Sequence, residues 1–215
     1  MREPHPPKRF WFAHVVRATV GKTLVALFRV AMPGAEKIPA GGAIVAGNHV
    51  SYADPMLLWS RSRRPVHFMA RSDLWDHSFI GWGLDTLWSF PVKRGAADRD
   101  ALAQASSLLQ AGEIVGIFPA GSRHADEGES HGGAAFLAMR NGVPVVPIGI
   151  AGTERIMPKG ARVPRFPKVV MFVGDPIDPA RFTEGGRKQR AEAMTVEIME
   201  RIAEQVEKAR KVVGR

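Results

Sequence analysis

The sequence predicts an α/β fold: a single layered domain with a largely buried mixed sheet flanked by helices, plus an N-terminal amphipathic helix. Three observations carry this. Short apolar runs bounded by glycine and proline alternate with stretches of helical period over most of the 215 residues. Runs such as "GAIVAGN" and "EIVGIF" read as strands covered on both faces. Hydrophobic residues make up 45% of the chain, which supplies a sizeable core for one domain of this length.

The elements follow in order. Residues 1–10, "MREPHPPKRF", are polar, basic and proline-rich, and residues 11–32 follow as "WFAHVVRATVGKTLVALFRVAM". Three cationic residues interrupt this apolar run, so it fits neither a signal peptide nor a spanning helix. At about 100° per residue, His14, Arg17, Lys22 and Arg29 share one broad sector, with Phe12, Val16, Val20, Leu27 and Val30 opposite. Two readings stay open: a basic amphipathic helix lying in the headgroup region of an anionic bilayer, or a helix packing its apolar side on the domain. Pro33-Gly34 ends it. The chain thus divides into an N-terminal segment, 1–34, and a main domain, 35–215.

Strands are expected at 42–48, 65–70, 89–95, from 113, at 143–150 and at 168–174. Helices are expected from Pro55, within 71–89, over 98–112 with Asp98 as cap and Gly112 as stop, and up to Gly142. A long helix is expected over 185–211. Ala191, Met194, Ile198 and Ile202 form its inner stripe, with Glu197/Arg201, Glu204/Lys208 and Glu207/Lys211 as i,i+4 pairs. Residues 124–133, "HADEGESHGG", read as a mobile loop.

Polar residues collect at three strand ends: Asn48-His49 to Asp54, Lys93-Arg94, and Gly121-Ser122-Arg123. In open α/β sheets, sites gather in the crevice beyond strand ends. A carboxylate near an imidazole fixes its tautomer and lets it act as a general base. Asp54 before Pro55 also suits a helix cap, and His49 alone suits a core histidine. Arg94 and Arg123, with Lys93, suit a phosphate clamp or solvated surface positions. The chain has no cysteine, no G-x-S-x-G elbow, no phosphate-binding P-loop signature and no H-E-x-x-H pair. The base therefore has to act on a hydroxyl of the substrate. Thirty lysines and arginines against 21 acidic residues give a net charge of +9, which favours an anionic partner: nucleic acid, an acidic membrane or a phosphorylated substrate. No nucleic-acid-binding motif is present, so nucleic acid is not expected.

"NHVSYADP" resembles the N-H-x4-D block of the PlsC-type glycerophospholipid acyltransferases. "FPVKRG" is similar to that family's second block, "FPAGSR" to its third, and "GVPVVPIGIAGTERIMPKG" to its fourth, in order within residues 36–182. The resemblance implies His49 as base and Asp54 as its orienter. It implies Lys93, Arg94 and Arg123 at the acceptor phosphate, and Asn48, Ala120, Gly121 and Ser122 among the substrate contacts. Val143, Pro144 and Pro147 would belong to the acyl site. It further implies acyl transfer from acyl-CoA or acyl-ACP to a lysophospholipid acceptor, with no cofactor and no metal. The implied place is the cytoplasmic face of an anionic membrane, held peripherally. The third block departs from the family at Ala120, where glutamate is usual. An engineered change, a different acceptor and a weakened enzyme are all compatible with that methyl.

Overall fold

In the computed structural model, residues 14–92, 98–119, 132–158, 160–161 and 163–214 are described. Six strands form one sheet in the order β3-β2-β4-β1-β5-β6. They are β1 (Ala43–Gly47), β2 (Val66–Arg71), β3 (Phe90–Val92), β4 (Ile114–Ile117), β5 (Val145–Ala151) and β6 (Val170–Val173). All neighbours pair parallel except β5 and β6, which run antiparallel. The mixed sheet read from the sequence is therefore present.

The central strands β1, β4 and β5 are buried along their whole length. Successive side chains point to opposite faces, so each strand feeds two cores. Val45, Phe68, Val146, Ile148 and Ile150 face the first layer. That layer holds the N-terminal helix α1 (Lys22–Leu27), α2 (Ala53–Arg61), and Trp88, which follows α3 (Ser78–Thr86). Ile44, Ala46, Val115 and Ile117 face the second layer: α4 (Arg99–Gln110), α5 (Gly133–Asn141) and α6 (Arg187–Val213). The stripe Met194, Ile198 and Ile202 is buried there. On the outer face of α6 the Glu197/Arg201 and Glu204/Lys208 pairs form, and Glu207 takes Arg210 as its partner.

Caps explain several boundaries. The Asp98 carboxylate accepts from the Asp100 and Ala101 amides at 3.1 and 3.2 Å and starts α4. Gly112, at φ 83°, follows its end, and Gly142, at φ 64°, ends α5 in the left-handed region. Gly149 of β5 serves a different purpose. A Cβ there would stand 2.1 Å from the Gln205 carbonyl carbon and the Val206 nitrogen, so α6 lies directly on the strand backbone.

The N-terminal helix departs from its expected form in length and in facing. It follows a π-type turn, Arg17–Gly21, and stops at Leu27 rather than running to Met32. The chain turns at Arg29, φ 45°, and Phe28, Val30 and Met32 enter the first core. Ala31 bridges to Val170 at the sheet edge, which explains why the apolar run outlasts the helix. Arg17 does not join a solvated cationic sector. Its guanidinium lies over the Trp59 ring and donates to the Trp59 carbonyl at 3.1 Å and to the Ser62 carbonyl. These carbonyls close α2, and an arginine is a good partner for the last turn of a helix. Burial lowers the Arg17 pKa from its ordinary value. Val20 and Leu27 of the apolar sector are exposed, which departs from the reading of a helix packed on the domain by that side. No described helix is long and apolar enough to cross a membrane.

His67 on β2 is half-buried, with its Nε2 3.8 Å from a Glu113 carboxylate oxygen and its ring stacked near Trp88. Desolvation lowers its pKa, and the Glu113 charge opposes that in part. The unfolded chain therefore takes up this proton at a higher pH than the folded one. The stability linked to His67 is complete above the ordinary imidazole value of about 6.5 and is lost as pH falls from there toward the lowered folded value. The urea midpoint of the protein is expected to drop between about pH 7.5 and about pH 5.5, and His67→Gln is expected to flatten that part of the drop.

Candidate active site

The site is built where β1 leaves the sheet. Asn48, directly after the strand, donates from Nδ2 to the Ile150 carbonyl at 2.9 Å and accepts the Ile150 N–H at 2.7 Å on Oδ1. This two-way bond latches the end of β1 to the end of β5. Asn48, placed with the substrate contacts by the resemblance, has both ends of its amide on backbone and acts as a strand clamp. The chain then turns through Val50 and Ser51 into α2.

Asp54 is the second residue of α2 and is fully buried. It does not cap the helix in the usual way, since the N-cap position is Tyr52. Its Oδ2 instead reaches back and collects three donors: Nδ1 of His49 at 2.9 Å, the Val50 amide at 2.7 Å and the Ser51 amide at 2.8 Å. The carboxylate cannot turn away from the imidazole without breaking two backbone bonds. An acceptor at Nδ1 puts the proton on that nitrogen and leaves the Nε2 lone pair outward. The His49 side chain keeps 19% of its surface exposed, while that of Asp54 has none. The base thus meets solvent and its orienter does not.

Phe118 completes the support. Its ring stacks on the His49 imidazole with centroids 4.4 Å apart and planes inclined by 19°. Phe68 in turn stacks with Phe118, centroids 5.8 Å apart and planes inclined by 5°. Ala46 is level with Ile117 in the parallel ladder, so the residues after β1 and β4 emerge together. This aromatic support is absent from the sequence-derived site. The signal was available, because the "FP" of the third block follows a strand adjacent to β1.

The remaining candidates divide. Pro147 lies buried in β5, level with Ala46, and its carbonyl accepts the Gly174 N–H at 2.8 Å. The imide nitrogen lies on that same side, away from β1, so the missing N–H interrupts no bond to β1. Val143 and Pro144 sit before β5, where Pro144 receives the Ile44 N–H at the opposite end of β1 from His49. The structure therefore does not bring these two to the dyad. Lys93, Arg94, Ala120, Gly121, Ser122 and Arg123 lie outside the described residues, as does most of the 124–133 loop. Gly133 itself already begins α5. No group of three or more metal-ligating side chains occurs among the described residues.

A buried carboxylate orienting a partly exposed imidazole at a strand end suits proton removal from a hydroxyl. The Acyltransferase family model matches residues 29–151, more than half of the chain. This protein belongs to the acyltransferase family. The acyltransferase is 30% identical over 171 residues to the 1-acyl-sn-glycerol-3-phosphate acyltransferase of Bacillus subtilis, covering 79% of this chain and 84% of that one. It is 28% identical to the chloroplastic enzyme LPAT1 of Arabidopsis thaliana over 73% of this chain, but spans only 45% of that longer protein. Among solved structures it is similar to the 1-acyl-sn-glycerophosphate acyltransferase PlsC of Thermotoga maritima. That likeness has a TM-score of 0.66 and 25% identity, and covers 91% of this chain and 82% of that one. The enzyme assignment rests on these matches, and the acyltransferase keeps the dyad within the matched region.

Proposed function

We propose that this acyltransferase moves a fatty acyl group from an acyl thioester, of coenzyme A or acyl carrier protein, to the free hydroxyl of 1-acyl-glycerol 3-phosphate, giving phosphatidic acid. The observation that carries the reading is the three-donor grip on Asp54, which aims Nε2 of His49 outward from the first block of the family resemblance. Nε2 takes the hydroxyl proton as the oxygen bonds to the thioester carbonyl carbon. Asp54 stabilises the imidazolium. The tetrahedral adduct collapses, the carbon–sulfur bond breaks, and the imidazolium returns its proton to the departing thiolate. The reaction is balanced without a redox step.

By the resemblance, Lys93, Arg94 and Arg123 hold the acceptor phosphate, and Gly121 and Ser122 let the backbone approach it. The β5 block, with Pro147 at its centre, supports the site through the Asn48 latch on Ile150. Residues 1–34 serve as the membrane-association segment and 35–215 as the catalytic domain, with the protein held peripherally on the cytoplasmic face of an anionic bilayer. The exposed Val20 and Leu27 of the first segment support that placement.

Ala120 favours a second reading, transfer to another lipid or glycolipid acceptor, because a carboxylate usual in the third block is absent. One experiment separates the two: thioester cleavage measured with a panel of lysophospholipid and glycolipid acceptors, the products read by mass spectrometry. A phosphate monoester engages an arginine fork through two oxygens at once, which lysine does not reproduce. A charge-assisted bond is worth roughly 1.5–3 kcal/mol. Arg123→Lys is therefore expected to raise KM for the phosphorylated acceptor at least several-fold, with a smaller effect on the donor. An unchanged acceptor KM sinks the phosphate assignment, and turnover confined to a non-phosphorylated acceptor selects the second reading.

A further inference from the structure

Antiparallel neighbours need only a short hairpin, yet β5 and β6 are joined by the long connection 152–169. A connection of that length usually has a task of its own. Its ends are fixed, with Ile156 and Val169 buried in the first core. Between them Met157, Val163 and Phe166 are exposed, Val163 to 71%. Arg165 and Lys168 are exposed beside them. Arg155 is partly neutralised by Glu154 at 3.6 Å. Pro158, Pro164 and Pro167 stiffen the segment, which reduces the order lost on docking.

This connection adjoins the N-terminal helix. The Phe166 ring lies 5.6 Å from the Phe28 ring, and the Phe166 carbonyl accepts from the Arg29 guanidinium at 2.7 Å. The Val169 amide donates to the Phe28 carbonyl at 3.0 Å. The exposed Leu27 precedes these contacts in the chain, and Val20 lies one turn and more before it. On the three helices of the second layer, the only large apolar side chain among the exposed described residues is Val196.

The geometry points to the β5–β6 connection as a second membrane-binding element, entering the headgroup region of an anionic bilayer beside the N-terminal helix. It rests on the membrane reading of that helix and extends it to a separate part of the chain. Apolar side chains interleaved with arginine and lysine suit the boundary between acyl chains and anionic headgroups. A protein partner of matching acidic chemistry is the competing occupant.

The absence of cysteine makes the test direct. Val163→Cys, Val20→Cys and Val196→Cys are each labelled with an environment-sensitive fluorophore and mixed with phosphatidylglycerol or phosphatidylcholine vesicles. The expected result is a blue shift, with quenching by lipid-borne quenchers, at positions 163 and 20 but not 196, on phosphatidylglycerol only. Insertion at 20 alone overturns this inference and leaves the N-terminal reading intact. Insertion at 163 alone overturns the pairing with the N-terminal helix, and with it this inference. Insertion at neither position, at all three, or equally on both lipids overturns it. As a second measurement, Arg165→Gln and Lys168→Gln are each expected to weaken binding to anionic vesicles about fivefold. Unchanged binding in both counts against the bilayer as occupant.

Discussion

Replacing His49 by alanine is expected to lower the acyl-transfer rate by about 10²–10⁴-fold, the usual contribution of a positioned general base. The fold should survive, because His49 is partly exposed and the Asp54 carboxylate keeps its two amide donors when the imidazole is gone. The thermal midpoint and the circular dichroism of the variant are therefore expected to stay near those of the parent. A His49→Ala protein with unimpaired turnover would falsify the proposed mechanism. Loss of turnover together with loss of the folded signal would instead point to a structural histidine. Asp54 is the poorer choice for this test, since removing it strips the partner from the Val50 and Ser51 amides along with the imidazole.

Gly149→Ala is expected to have the largest effect on stability. Overpacking commonly costs about 1–3 kcal/mol, where side chains can shift. Here the added carbon meets backbone atoms of α6 at 2.1 Å, and both strand and helix must move. A cost of about 3 kcal/mol or more follows, which in a chain of this size lowers Tm by roughly 10 °C. The site should suffer as well, because the displaced strand is the one that Asn48 latches to β1. Differential scanning calorimetry on purified protein decides the matter. A midpoint within a degree or two of the parent would mean that the sheet and α6 do not pack as described.

The parts of this fold legible in the sequence are those with local causes. Strands β1, β4 and β5 are apolar runs between turn residues, and α4 carries its own cap in Asp98. The dyad was legible because its two members lie in one short stretch. Phe118 escaped notice because its place beside His49 depends on the β1–β4 register, which no short stretch encodes. The Asn48 clamp was not legible for the same reason, its partner Ile150 being on another strand. Arg17 departs from the solvated cationic sector because periodicity assigns polar residues to solvent. Arg17 has a better partner in the open carbonyls of α2, a tertiary fact.

That contact of Arg17 makes the N-terminal segment something other than an interchangeable tether. Gly21 faces Ser60 at ordinary contact distance, and Arg17 closes the helix whose first turn holds Asp54. A different segment grafted in its place would leave α2 without its terminal partner. Only a graft with an arginine in this register and a small residue one turn later would reproduce both contacts. The segment therefore carries two inheritances at once, an exposed apolar surface in Val20 and Leu27 and a fitting for the helix that holds Asp54. Variation in one is constrained by the other.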